Sequence, residues 1–306
     1  MTSRTPPRTM IVATGRPVRI SSISFAIGKT LGTIAGIVES EGARGTDLIV
    51  LPETWLGQKE HVPEPLDGPT VSTMADLAEK HATWIVCPID RIDGRRRLNS
   101  AVLLDRKGSI VTVYDKIFPY QQEREVDPPV SRGEEVSVHR TDFGVLGMAI
   151  CFDANFPELW QTLERKGAEV VVWPSEYAGG TTLQAHALMH HFYIVTATQA
   201  GQCLVYDITG REILSEQSSE VNVSRVVLDL DRAIYHQDFN MKKLESLLAE
   251  HAEDIEVEMS LPREKWFVLR ARRPGVSARK LSREYGMEDL RSYIARSRKE
   301  LDAARG

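Results

Sequence analysis

The sequence predicts a four-layer α-β-β-α sandwich: two mixed β-sheets packed face to face, with helices on both outer faces. Three observations lead there. Continuous aliphatic runs such as Asp47–Leu51 and Val170–Trp173 have the pattern of strands buried on both faces. Stretches with apolar residues at helical spacing separate these runs. Short strand pairs joined by Gly-containing turns interrupt the βα order, so the sheets are mixed rather than all-parallel.

Val18–Phe25 alternates as a first strand. Ile34–Glu41 has helical spacing, and Gly42 and Gly45 end it. After the strand Asp47–Leu51, Pro69–Lys80 reads as a helix with Val71, Met74, Leu77 and Ala78 on one side, and Thr83–Ile89 as a strand. Leu98–Leu104 and Ser109–Tyr114 flank Asp105-Arg-Lys-Gly108 as a hairpin. Val136–Thr141 and Val145–Cys151 form a second pair around Asp142-Phe-Gly144. Pro157–Lys166 is a helix with Pro in its first turn. There follow a strand at Val170–Trp173, a helix at Thr182–His191, a strand at Tyr193–Ala200, a pair formed by Cys203–Ile208 and the residues from Ile213, and a closing strand at Val223–Leu230.

The expected organisation is a disordered leader over residues 1–17, a main domain over 18–231 and a C-terminal extension over 232–306. In the extension, Lys242–His251 and Met287–Leu301 read as helices on either side of the apolar stretch Lys265–Arg270. It is expected to lie on the main domain or on a neighbouring subunit. The 306 residues, 42% hydrophobic and 26% charged, match a globular protein. No apolar run reaches the roughly 18 residues of a membrane span. Three cysteines without short spacing give neither a disulfide framework nor a zinc site, so the expected location is the cytoplasm. Residues 263–306 carry 13 basic and 6 acidic side chains, whereas the whole chain has a net charge of −5. An acidic body with a basic tail could meet nucleic acid or a partner subunit. Without base-reading residues, solvated helices or a subunit contact is the preferred reading.

Chemistry concentrates at strand ends. Cys151, in Gly147-Met-Ala-Ile-Cys-Phe-Asp-Ala-Asn-Phe-Pro-Glu158, stands where an apolar strand gives way to polar residues. Glu53 follows Leu48-Ile-Val-Leu-Pro, and Lys116 ends Val111-Thr-Val-Tyr-Asp. A carboxylate can take the proton of a thiol, and a fixed ammonium with a backbone N–H can face the oxyanion made by attack on a carbonyl. Spacings of 63 and 35 residues leave it to the fold to assemble them. Cys87 and Cys203 lie in apolar strands and read as core. His186 and His190 have i,i+4 spacing but no accompanying Glu, so they read as structural rather than metal ligands.

The words around these residues resemble the nitrilase (carbon–nitrogen hydrolase) superfamily: Leu-Pro-Glu53, Tyr-Asp-Lys116 and Cys151-Phe-Asp-Ala-Asn-Phe-Pro-Glu158, in this order, with Asn99-Ser-Ala-Val-Leu-Leu-Asp in support. The resemblance spans residues 18 to 231 and implies an αββα hydrolase of the amidase or carbamoylase type, using no cofactor and no metal. Carried over, Glu53 is general base and then acid, Lys116 and the backbone N–H of Phe152 face the oxyanion, and Cys151 forms a thioester. A second glutamate after the lysine corresponds to Glu123, with Glu125 as competitor. Tyr120, Asn155, Glu176 and Tyr177 are candidates for substrate contact. The resemblance also implies a homodimer or larger homo-oligomer and a small-molecule substrate. Phe152 in place of the Trp typical of nitrile-cleaving members favours amides or carbamoyl compounds, with a nitrilase as alternative. Asn155 in place of Arg argues against an acidic ω-amide. The alternative of another class is a non-catalytic scaffold or a nucleic-acid-binding protein using the basic tail.

Overall fold

The computed structural model describes residues 15–26, 28–55 and 62–305. Elements run in chain order: β1 (Pro17–Phe25), α1 (Leu31–Ala43), β2 (Leu48–Val50), α2 (Pro69–His81), β3 (Trp84–Asp93), β4 (Arg96–Leu104), β5 (Ile110–Asp115) and α3 (Gln121–Glu125). They continue with β6 (Val138–Arg140), β7 (Val145–Met148), α4 (Pro157–Arg165), β8 (Val170–Ser175), α5 (Thr181–His190), β9 (Tyr193–Thr198), β10 (Gln202–Tyr206), β11 (Glu212–Gln217) and β12 (Val221–Asp229). The first sheet has the order β12-β1-β2-β3-β4-β5 and the second β11-β10-β9-β8-β7-β6. In each, three central strands are parallel: β1, β2 and β3 in one, β7, β8 and β9 in the other.

The sheets face each other through polar as well as apolar contacts. The Ser22 hydroxyl of β1 donates to Thr196 O of β9 at 2.6 Å, and Thr198 N donates to Ser24 Oγ at 2.9 Å. These satisfy groups that would otherwise be costly to bury between two sheets. On the outer face of the first sheet, Ile34 and Val38 of α1 and Val71, Met74 and Leu77 of α2 bury against Ile49, Ile85 and Val102. α4 and α5 cover the second sheet. Among the described residues no helix is long and apolar enough to cross a membrane.

Parallel strands direct all their carboxyl ends to one edge, the usual ligand edge of such sheets. β5 shares the direction of β2, since it is antiparallel to β4 and β4 is antiparallel to β3. Glu53 after β2 and Lys116 after β5 therefore leave the first sheet at the same edge. Three sequence readings need correction here. β7 ends at Met148, so Cys151 belongs to a 3-10 turn (Cys151–Asn155) beyond the strand rather than to the strand itself. The strand expected from Val136 is only three residues long. The short helix α3, which carries Glu123, has too few residues to show apolar periodicity and was not expected.

The leader expected over residues 1–17 lies outside the described residues up to position 14. Its last part is held: Gly15 N and Arg16 N donate to the Asp229 carboxylate, and β1 begins at Pro17. Residues 227–293, together with residues 15–18, form a compact unit of their own. Its elements are β13 (Ala233–His236), α6 (Met241–His251), β14 (Ile255–Leu261), β15 (Trp266–Ala271), α7 (Ala278–Glu284) and the start of α8 (Leu290–Ala303). A helical extension is thus an incomplete description. Its centre is an antiparallel sheet, β13-β15-β14, with Tyr235, Leu244, Leu247, Phe267 and Leu269 in a small core. Strand β14 (Ile-Glu-Val-Glu-Met-Ser-Leu) alternates, but its charged positions masked it as part of a polar tail.

Met74, fully buried in the α2 layer, tests the layering. Met74→Ala should cost about 2–5 kcal/mol in denaturant unfolding, and Met74→Leu less than about 1.5 kcal/mol. Equal, small effects would place Met74 outside a packed core.

Candidate active site

A cavity at the strand-end edge is lined by Glu53, Asn99, Lys116, Glu123 and Cys151, with Tyr120 and Glu176 among the residues around them. Lys116, on this lining, is almost wholly buried. Its Nζ donates to Glu53 Oε1 at 2.8 Å and to Glu123 Oε2 at 2.7 Å. The backbone fixes the lysine from both sides: Lys116 N donates to Asn99 O at 2.8 Å, and Gly133 N donates to Lys116 O at 2.9 Å. Gly133 passes so close that a Cβ there would meet Asp115 O at 2.0 Å, so no other residue fits.

Asn99 was quoted in the sequence only as part of a supporting word, and its function went unrecognised. Its Nδ2 donates to Glu53 Oε1 and to Glu123 Oε1, each at 2.7 Å. One amide therefore links the two carboxylates that the lysine also links. Glu53 Oε2 accepts from Glu176 N at 3.1 Å. Behind Glu53, Gln199 Nε2 donates to Glu53 O at 2.7 Å and to Thr54 O at 2.8 Å. Thr54 has φ +42°. A left-handed β-branched residue costs roughly 1–3 kcal/mol, and the Gln199 contacts help to hold it.

Cys151 also has a positive φ, +46°, and is 8% exposed. The turn that carries it is closed by Asp153. Ile150 N donates to Asp153 Oδ2 at 2.9 Å, while Asp153 N donates back to Ile150 O at 3.0 Å. Tyr114 donates its hydroxyl to Asp153 Oδ2 at 2.6 Å, and Phe118 N donates to Oδ1 at 3.0 Å. Burial pushes the Asp153 carboxyl up to about 7, against these hydrogen bonds and the Lys116 charge, which favour its ionised form. Asp153 thereby ties the cysteine turn to the strand and loop that carry Lys116.

Electrostatics set the resting state. Burial raises the Cys151 thiol well above its ordinary range, and the Glu53 charge adds to this; Lys116 and Ser175 pull the other way without prevailing. Burial lowers the Lys116 ammonium, while the charges of Glu53 and Glu123 and the hydrogen bond to Glu123 raise it, and it stands above its ordinary value. Both directions favour a neutral Cys151 thiol and a charged Lys116 at rest.

The structure thus brings Glu53, Lys116, Glu123 and Cys151 to one cavity, and between the two glutamate candidates it is Glu123 that binds the lysine. Glu125 instead accepts from Gln121. Phe152 N is the second amide of the 3-10 turn, where the first N–H groups lack acceptors inside the helix. Tyr120 and Glu176 line the cavity, but Asn155 and Tyr177 are not among its lining residues. The Asn155 amide folds back onto Phe152 O at 3.1 Å because a short side chain in a tight turn reaches its own backbone first. The Tyr177 hydroxyl reaches Cys151 O at 3.4 Å. His186 stacks on Trp160 and its Nε2 meets Ala154 O at 2.9 Å, while His190 pairs with Glu164. Cys87 and Cys203 are buried in strands, as their apolar settings implied.

The family model for carbon-nitrogen hydrolases matches residues 18–234. The chain belongs to this family. It is 28% identical over 183 residues to a deaminated glutathione amidase of Yersinia enterocolitica, an alignment covering 52% of this chain and 64% of that protein. It is also 28% identical over 197 residues to a nitrilase of Pyrococcus abyssi, covering 60% of this chain and 74% of that one. The chain thus spans less than two thirds of the length of the Yersinia relative. A solved amidase from Nesterenkonia sp. AN1, in complex with acrylamide, shares the fold with a TM-score of 0.62 and 20% identity, over 77% of this chain and 99% of that one. The chain thus shares the sandwich fold of solved structures of the nitrilase superfamily.

If Asn99 holds the carboxylates, Asn99→Asp places a third acidic group against Glu53 and Glu123. Turnover of any substrate should fall about 10²-fold through misplacement of the reacting groups, with the circular-dichroism spectrum retained. Unchanged turnover would show that the link is dispensable.

Proposed function

We propose that this protein hydrolyses the C–N bond of a small amide or N-carbamoyl compound through a thioester on Cys151. The observation that carries this reading is that Cys151 shares one cavity with Glu53 and with a lysine that two carboxylates hold in place. In the first step Glu53 takes the thiol proton as sulfur attacks the carbonyl carbon. Two Lys116 N–H groups hold carboxylates, leaving the third, with Phe152 N–H, for the oxyanion. Collapse breaks the C–N bond as Glu53 returns the proton to the departing nitrogen, giving ammonia or an amine and the thioester. Glu53 then removes a proton from water, which attacks the thioester; the acid is released and the thiol regains its proton. Glu123 keeps Lys116 in place through both halves.

A homodimeric or larger assembly goes with this reading. It is supported by Leu188 and Met189 on α5, the latter 69% exposed, which leave apolar surface to cover. The second reading, nitrile hydrolysis, is favoured by the Pyrococcus relative's name, but the Phe152 position argues for amides.

A panel of primary amides, N-carbamoyl amino acids and nitriles, scored by product release, tests the assignment. Amides or carbamoyl compounds should be cleaved and Cys151→Ala should be inactive. Glu53→Gln should lose about 10²–10⁴-fold in kcat. Cleavage confined to nitriles would overturn the amide reading. Activity retained in Cys151→Ala would overturn the thioester.

A further inference from the structure

The described lining of the cavity contains two basic residues, Lys116 and Arg97, and four acidic ones, Glu53, Asp90, Glu123 and Glu176. Lys116 gives two of its three N–H groups to the glutamates, and the third faces the reacting carbonyl in the proposed mechanism. Arg97 is the cation that would ordinarily receive a substrate carboxylate by a bidentate fork. That fork is already occupied. Arg97 Nε donates to both Asp90 oxygens, at 2.9 and 3.0 Å, and Nη2 donates to Oδ2 at 2.6 Å. Nη1 points to Pro128 O at 3.4 Å.

The pair is also held in place. Asp90 on β3 and Arg97 on β4 belong to the same antiparallel ladder. Arg97 O accepts from Ser131 N at 2.6 Å, anchoring its backbone to the loop after α3. The two side chains are 8% and 16% exposed, so water screens their attraction only partly. The hydrogen bonds to Asp90, aided by its charge, lift the Arg97 guanidinium further above its already high range. Glu176, by contrast, is an exposed residue of the lining. A carboxylate entering this cavity would meet surplus negative charge with both cations committed. A neutral or positively charged group would meet no such barrier.

We infer that the cavity selects amides whose acyl chain is neutral or cationic and turns away acyl chains ending in a carboxylate, with Asp90 as a specificity-determining residue because it occupies Arg97. This rests on the amide-hydrolase reading but can fail separately from it. Valeramide, δ-aminovaleramide and glutaramate present the same amide on chains of matched length with a neutral, positive or negative end. Their binding to Cys151→Ala, measured by ligand-observed NMR, reports charge selection without chemistry. Ammonia release by the wild-type protein reports hydrolysis.

Glutaramate should bind at least about tenfold more weakly than the other two. Asp90→Asn, made in the Cys151→Ala protein, should free the Arg97 fork and close most of that gap. Glu176→Gln, at an exposed position that the fold tolerates, should narrow it several-fold. Glutaramate binding as tightly as valeramide, or no difference among the three, overturns the inference. If the binding order holds while no ammonia is released, hydrolysis fails and charge selection stands. If glutaramate is cleaved fastest, hydrolysis stands and charge selection fails.

Discussion

Burying an ammonium among strand ends is costly unless the charge is paired and every donor is directed. Lys116 meets that condition with Glu53 on one side and Glu123 on the other, and much of the local architecture follows. The two carboxylates must come from different parts of the chain, one from the turn after β2 and one from a short helix after β5. The Asn99 amide between them offsets their mutual repulsion. Removing Lys116 would leave Glu53 as a buried carboxylate without its cation, at about 3–5 kcal/mol. The quartet is therefore a structural unit before it is a chemical one.

The cysteine is placed by a second polar unit of different character. Asp153 collects the Tyr114 hydroxyl and two backbone amides, and so joins the strained cysteine turn to the segment that carries the lysine. Thr54, one residue after Glu53, and Cys151 are two of the five described non-glycine residues with positive φ, and these two lie at the site. Such strain persists only where the surroundings hold it. Here the Gln199 amide and the Asp153 carboxylate do the holding.

Much of this was legible in the sequence. Continuous Val/Ile/Leu runs at β2 and β8 and Gly-containing hairpins gave the sandwich, because period and turn chemistry are local properties. The words around Glu53, Lys116 and Cys151 carried the resemblance and pointed to residues that the fold brings to one cavity. Asn99 was hidden because an Asn in a strand has no sign of its own; only the cross-strand geometry shows it meeting two carboxylates. The Asp90–Arg97 pair was hidden for the same reason. Asn155 was misplaced as a cavity residue because spacing cannot tell a side chain facing the pocket from one folded onto its own turn. In the C-terminal unit, charge density concealed a sheet whose alternation is visible once its partners are known.

The central claim is that the site rests with a neutral thiol and a charged lysine, so that Glu53 must act as base in the attack itself. The ultraviolet thiolate absorbance of the wild-type protein minus that of Cys151→Ser, followed across pH, tests it most directly. The account predicts no thiolate signal from Cys151 at neutral pH and its appearance only above about pH 9, beyond the ordinary thiol range. A signal that is complete below about pH 7 would mean a preformed thiolate–lysine ion pair and would contradict the account.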